Sequence, residues 1–334
     1  MSSRLIALIL AAFAAGCGRG DITSPADPLP APGPGGADSG SPPPPNSGTP
    51  APSPDISGRP VFAVDLANRL MLFGSESPDL VARIVPITGL GAGHRIVSVD
   101  FRSESGLYGV GTDSRLYAID TLSGVATPVG SPFQPEISGT HFGMLIDGET
   151  NQIRVHGVES DQNLLLRATT GELLSVDAPL AFAGFDLYAG KNPGVAGSAI
   201  RPSDGKVFGI EANQDILVRL PDPAAGTLYT VGPLGTTTTL CVGFDIAEDG
   251  AALAALTQQD GSKLHTIDLE SGAATLIGTI AIDSPVQGIA IVPGTFQSQP
   301  RLARPVPAQR VAFRPAVAPA ACFGQQGETS PGAD

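Results

Sequence analysis

Two aspartates and one polar trio are the residues whose type and spacing could do chemistry in this chain. Asp100 and Asp245 hold the same place in two of five similar apolar runs, Ile96-Val-Ser-Val-Asp-Phe and Val242-Gly-Phe-Asp-Ile. The matching places in the other three runs hold Leu145, Ala199 and Ala290. Two carboxylates lining one channel could bind a cation such as calcium, or serve as acid and base. Their plainer role is to cap the turns where strands end. Arg154, Gln162 and Asn163 could line a polar ligand pocket, or could satisfy backbone groups in one atypical unit. Asp120 and Asp268 precede turns that end in Gly, and shape those turns.

The remaining reactive side chains form no recognisable set. There is no GxSxG, HExxH, CxxC or P-loop. The four histidines (94, 141, 156 and 265) occur singly and read as packed or surface residues. Three cysteines (17, 241 and 322) are too few and too scattered for a disulfide framework or a zinc site. Cys241 opens an apolar strand and reads as a buried structural thiol. Cys322 reads as a thiol that could be free, at risk of oxidation. No catalytic residue, metal site or cofactor is assigned on these grounds.

The elements that must position these residues repeat. Val61-Phe-Ala-Val-Asp, Leu107-Tyr-Gly-Val-Gly, Ile153-Arg-Val-His-Gly, Val207-Phe-Gly-Ile-Glu and Ala252-Leu-Ala-Ala-Leu begin 46, 46, 54 and 45 residues apart. Each is followed by a second apolar run, a turn and a third run. Each run is about five residues long, rich in β-branched or aromatic residues and bounded by turn formers, which is a strand signature. A fourth run, the one that carries Asp100 and Asp245, lies ahead of each unit. No such run precedes Val61, and one, beginning at Val286, is left over at the end. Four strands per period near 45 is the arithmetic of a propeller blade. The offset ends predict an all-β, five-bladed β-propeller closed by its C-terminal strand, which removes a loose sheet edge. A two-sheet sandwich is the alternative. The 54-residue interval carries surplus chain near Ala181–Gly194, and insertions of this kind often mark a binding face.

Composition divides the 334 residues further. The net charge is −13, with 16 Arg and three Lys, which argues against a nucleic-acid partner. Residues 61–295 carry 26 acidic and 12 basic side chains. Residues 18–60 read as a disordered linker, with 13 of the 32 Pro falling between Asp21 and Pro60 and a polyproline run at Pro42–Pro45. Residues 296–334, with four Arg against two acids, read as a disordered tail. Arg4 and the apolar run Leu5–Ala15 form a signal-peptide pattern, too short to span a bilayer. It ends in Ala14-Ala15-Gly16-Cys17, which resembles the bacterial lipobox. The resemblance implies a signal peptide over residues 1–17 and lipidation of Cys17. Several acyl chains on one residue give stable anchoring. Gly18 in place of Asp favours the outer membrane by the same resemblance.

Three phrases carry a second resemblance. They are Leu116-Tyr-Ala-Ile-Asp-Thr-Leu-Ser-Gly-Val-Ala-Thr-Pro-Val-Gly, Asp161-Gln-Asn-Leu, and Leu264-His-Thr-Ile-Asp-Leu-Glu-Ser-Gly-Ala-Ala-Thr-Leu-Ile-Gly-Thr. They resemble the domain-of-unknown-function 4394 family over roughly Val61 to Val292. That resemblance implies a bacterial, repeat-built and frequently exported protein without an assigned catalytic residue. Asn151-Gln-Ile-Arg-Val departs from the family's Asp-Arg-Ile-Arg-Val, so Arg154 carries over, with Gln162 and Asn163 downstream.

The expected function is therefore a lipid-anchored, exported, monomeric propeller acting as a binding or interaction module at the bacterial cell envelope. Its partners would be the membrane, through the anchor, and an envelope protein or glycan. The alternative is a lactonase-like hydrolase or glycan-acting lyase with Asp100 and Asp245 at the channel.

Overall fold

Continuous apolar runs, not alternating ones, mark strands buried on both faces; the inner strands of each blade are of this kind, while the outermost ones are largely exposed. The computed structural model describes residues 56–102, 106–294 and 320–322, all within one compact unit, Pro50–Asp334. The signal peptide, most of the linker and most of the tail lie outside the described residues. Blade 1 contains β1 (Pro60–Asp65), β2 (Arg69–Gly74) and β3 (Ser77–Pro86). Blade 2 is β4 (Ile96–Phe101), β5 (Leu107–Gly111), β6 (Arg115–Ile119) and β7 (Ala126–Val129). Blade 3 is β8 (Phe142–Asp147), β9 (Gln152–Gly157), β10 (Asn163–Arg167) and β11 (Leu173–Val176). Blade 4 holds β12 (Ala181–Phe182), β13 (Val195–Arg201), β14 (Lys206–Glu211), β15 (Ile216–Leu220) and β16 (Thr227–Pro233). Blade 5 is β17 (Val242–Ile246), β18 (Ala252–Gln258), β19 (Gly261–Ile267) and β20 (Ala274–Thr279). The last strand, β21 (Val286–Ile291), returns to blade 1.

The first sheet runs β21-β1-β2-β3, so the C-terminal strand supplies the missing inner strand, as the offset repeat predicts. Val61 faces Ile291 and Ala63 faces Ile289 across an antiparallel ladder. The inner strands neighbour one another in the order β21, β4, β8, β13, β17 and back to β21. The fold is a five-bladed propeller, not a sandwich. Among the described residues, no helix is long and apolar enough to cross a membrane.

The core is five separate clusters, one between each pair of neighbouring blades. Along β1, Val61 and Ala63 pack toward blade 5, while Phe62 and Val64 pack toward blade 2. The same split recurs in β2, with Met71 and Phe73 on one side and Leu70 and Leu72 on the other. Period-2 alternation thus divides one apolar run between two cores. The blade turns repeat as well. Asp120 accepts from the backbone N–H of Leu122 and Ser123, and Asp268 from those of Glu270 and Ser271, confirming both as turn-shaping residues.

Blade 4 differs from its neighbours. Its surplus chain adds β12 parallel to β16 at the outer edge, making a five-stranded sheet. Phe185 and Leu187 of this insertion are exposed. The insertion sits on the rim of the blade and contributes nothing to the larger cavity described below.

Near the axis the five inner strands carry Ser98, Gly143, Gly197, Gly243 and Gly288 at equivalent places, two residues before the Asp100 position. A Cβ on Gly243 would lie 2.6 Å from the backbone nitrogen of Ile289 in β21, and one on Gly197 2.8 Å from the Phe244 Cβ. Strand backbones approach here too closely for a side chain. Gly243→Val is expected to lower unfolding free energy by about 1–3 kcal/mol or more through forced backbone movement. Gly184→Ala, where nothing lies within 4 Å of the added Cβ, should leave it unchanged. Urea titration compares the two, and equal midpoints would refute the steric reading.

Candidate functional site

Asp100 and Asp245 stand at the ends of β4 and β17, where the inner strands leave the axis. An inner strand has one free edge, and its unpaired N–H groups need acceptors. Each aspartate meets that need in the same way. Asp100 Oδ1 accepts from Phe101 N–H (2.7 Å) and its Oδ2 from Ile146 N–H in the next blade (2.6 Å). Asp245 accepts from Ile246 N–H (2.7 Å) and from Ile291 N–H in β21 (2.6 Å). The two side chains therefore tie blade 2 to blade 3 and blade 5 to blade 1. This goes beyond the capping of single turns. Gln287 makes a third tie, donating from Nε2 to the Ile96 carbonyl at 2.6 Å.

Both aspartates also line one cavity of about 440 Å³ at this end of the ring. Its wall carries Phe101, Ile146, Ile200, Ile246 and Ile291, and its rim Asp147, Glu149, Glu248, Asp249 and Arg59. Arg59 is paired with Asp249, so the rim is dominated by carboxylates. The four rim acids escaped the sequence reading. They sit at the end of β8 and in the turns that follow the inner strands of blades 3 and 5, and position relative to the fourth run is the signal that would have found them. Asp147 spends its oxygens on its own turn, accepting from Glu149 N–H and the Thr150 hydroxyl.

Burial pushes the Asp100 carboxyl well above its ordinary value, and the nearby Asp245 charge pushes it further; its two backbone donors only partly offset this. Asp245 is likewise raised by burial, against the pull of Ile291 and Ile246 N–H. The charge of Asp245 thus disfavours ionisation of Asp100.

The polar trio does not assemble as a trio. Arg154 Nη1 donates to Asn163 Oδ1 (2.5 Å) and to Asp177 Oδ2 (2.7 Å), and Asn163 Nδ2 donates to the Pro223 carbonyl (2.7 Å). Pro223 opens a short 3-10 turn, Pro223–Ala225, in blade 4, so Arg154 and Asn163 join blades 3 and 4. Arg154 edges a smaller cavity of about 160 Å³, with its guanidinium already committed to these partners. Gln162 lies elsewhere. Its Nε2 donates to the Glu136 carbonyl and its Oε1 accepts from Ser138 N–H, which pins the loop before β8. His156, fully buried, meets Ser198 of blade 4 at 2.7 Å. Burial and the adjacent Arg154 push it down to about 3, so it is neutral at neutral pH.

The cysteines correct the sequence reading. Cys322 is not free: it forms a disulfide with Cys241, 81 residues away, and Cys241 is therefore not a thiol. Both are buried, as is His141 beside them. This group stands at the opposite end of the inner strands from the aspartates, since His141 and Cys241 immediately precede β8 and β17.

The acid pair has a sign-defined pH signature. A raised folded-state pKa means that the folded chain binds more protons than the unfolded chain above the ordinary aspartate value of 3.8. Stability from these groups is then present at low pH and declines as pH rises through the raised values. Asp245→Asn is expected to move the Asp100 titration down, by removing the neighbouring charge. Carboxyl carbon NMR across pH 3–8 reads this, and an unmoved Asp100 midpoint would show that the two do not interact.

Comparison with known proteins places the chain in a family. No curated protein matches the chain. Among solved structures, the Kuenenia stuttgartiensis hydrazine synthase is 14% identical, with a TM-score of 0.35 over 60% of this chain and 51% of that one. The chain thus spans about half the length of that relative. A Bacteroides thetaiotaomicron protein of unknown function is 14% identical, with a TM-score of 0.44 over 72% and 68% of the two chains. A Bacteroides caccae protein of unknown function is 15% identical, with a TM-score of 0.38 over 68% and 76%. The family profile described as Domain of unknown function (DUF4394) matches residues 69–290, from β2 of blade 1 through nearly all of the closing strand β21, and the chain belongs to that family.

Proposed function

We propose that this chain is a lipid-anchored recognition module of the bacterial cell envelope that binds a small, cation-bearing ligand in the acidic mouth of its propeller. The observation that carries the reading is the cavity that Asp100 and Asp245 share: an apolar wall beneath a rim of carboxylates whose one base is already paired. Such a site suits a ligand with an apolar body and an amine, since a few fixed polar groups on an apolar wall set orientation and specificity. An amine-bearing glycan or an envelope peptide with a basic side chain has this chemistry. The aspartates are fixed in place by two backbone donors each, so they offer a preorganised field, not mobile arms. The anchor at Cys17 and the Pro-rich spacer would hold the mouth away from the membrane.

A second reading has its own support in the upward-shifted acid pair, the constellation that could move a proton for a lactonase-like or glycan-acting reaction. The same titration separates the two. Isothermal titration with a polyamine is expected to give saturable binding that Asp245→Asn weakens severalfold, with no turnover of lactone or glycan substrates. Turnover lost in both Asp100→Asn and Asp245→Asn would favour the enzyme. No binding of amines, with neutral glycans bound instead, would reject the cationic ligand. Calcium belongs in the same series, read by melting temperature. For the anchor, Cys17→Ser is expected to move the protein from the detergent phase to the aqueous phase. Continued partition into detergent would reject lipidation.

A further inference from the structure

The group at the other end of the inner strands has ligand chemistry that neither binding at the acidic mouth nor the fold requires. His141, Cys241 and Cys322 each place one donor atom within 4.8 Å of the others. His141 is 5% exposed and both cysteines are fully buried. The three come from three parts of the chain: the start of blade 3, the start of blade 5, and the segment Ala320–Cys322, whose Cys322 carbonyl accepts from Leu240 N–H at 3.0 Å. His141 Nδ1 is engaged by Glu159 Oε1 (2.8 Å) and Thr140 Oγ1 (2.9 Å). A carboxylate accepting from Nδ1–H fixes the tautomer that leaves a lone pair on Nε2. That Nε2 is buried and has no hydrogen-bond partner among the described residues.

Two cysteine sulfurs and an imidazole nitrogen, backed by a carboxylate and screened from water, are a donor set for a soft d10 cation. We propose that the reduced chain binds one Cu+ or Zn2+ ion between Cys241 Sγ, Cys322 Sγ and His141 Nε2, and that the disulfide is the metal-free, oxidised state of the same site. A dithiol reductant supplies the first step. It transfers two electrons and two protons to the Cys241–Cys322 bond, which opens to two thiols as the reductant closes to its own disulfide. Metal entry forms two metal–sulfur bonds and one metal–nitrogen bond and releases both thiol protons to solvent. His141 loses none, because its Nε2 carries none. Metal–sulfur bonds of about 2.3 Å and metal–nitrogen bonds of about 2.0 Å require the donors to draw in by side-chain rotation from their present spread. An acceptor disulfide then takes two electrons from the two thiolates and two protons from solvent and opens to two thiols, while the Cys241–Cys322 bond re-forms and the ion leaves.

The test uses the full chain carrying Cys17→Ser, so that Cys241 and Cys322 are its only cysteines. The protein is reduced with a phosphine, desalted without oxygen and dialysed against Zn2+ or Cu+ in separate arms. Elemental analysis is expected to find one ion per reduced chain and none on the disulfide form. X-ray absorption should report two sulfurs and one nitrogen. Cu+ retained without Zn2+ identifies a three-coordinate site, and Zn2+ retained with an added oxygen identifies a four-coordinate one. His141→Ala should weaken retention at least tenfold, and Glu159→Gln about 10–100-fold, as expected for the residue that orients a ligand. Circular dichroism of the reduced chain, with and without metal, controls for folding. If reduction unfolds the chain, metal must restore its melting transition in the parent but not in His141→Ala. Retention of neither ion, or equal retention by His141→Ala, overturns the proposal.

Discussion

Five strands converging on one axis is the constraint on which the rest of this molecule depends. At the narrowest level the backbones leave no space for a Cβ on Gly243 and little on Gly197 or Gly288, and the chain answers with four glycines and Ser98. The candidate sites are arranged about that level. Two residues further along the inner strands come Asp100 and Asp245. Two residues earlier come His141 and Cys241. One repeat thus produces two ends of different chemistry, one hard and anionic, the other soft and dry. The free edge of each inner strand explains why polar side chains gather here at all. Unpaired backbone groups near the axis must be met, and Asp100, Asp245 and Gln287 meet them across blade junctions.

That double duty clarifies the aspartates. A carboxylate used only to cap a turn would have no reason to be buried beside another. Here the second acceptor bond, to a neighbouring blade, draws both acids inward to a shared cavity, and the repulsion between them follows from this geometry. Structural and ligand-directed roles are therefore not alternatives at these positions. The bonds that close the ring also fix the charge that a ligand would meet.

The architecture was legible in the sequence because its signals are local and repeated. The 45-residue period, the missing first strand before Val61 and the surplus one at Val286 were enough to give blade number and closure. The placement of Asp100 and Asp245 followed from the same alignment. What stayed hidden depends on contacts between distant segments. Nothing in the spacing of Cys241 and Cys322 shows that the segment Ala320–Cys322 returns to Leu240. Gln162 and Asn163 are adjacent in sequence, yet one pins the loop before β8 and the other reaches Pro223, because successive side chains near a strand start point to opposite sides. Gly124 and Gly272 end turns at positive φ, a role their turn sequences make visible. Mid-strand Gly143, Gly197, Gly243 and Gly288 answer to packing across the ring, which a linear reading does not display.

The closing strand also decides how the domain bears load. β1 is not at a sheet edge but lies between β21 and β2, with an antiparallel ladder on each side. A pull applied at Pro60 acts along the strand and strains both ladders together in shear. An edge strand pulled sideways would instead unzip one hydrogen bond at a time. The arrangement that completes the ring therefore also holds its first strand from both sides.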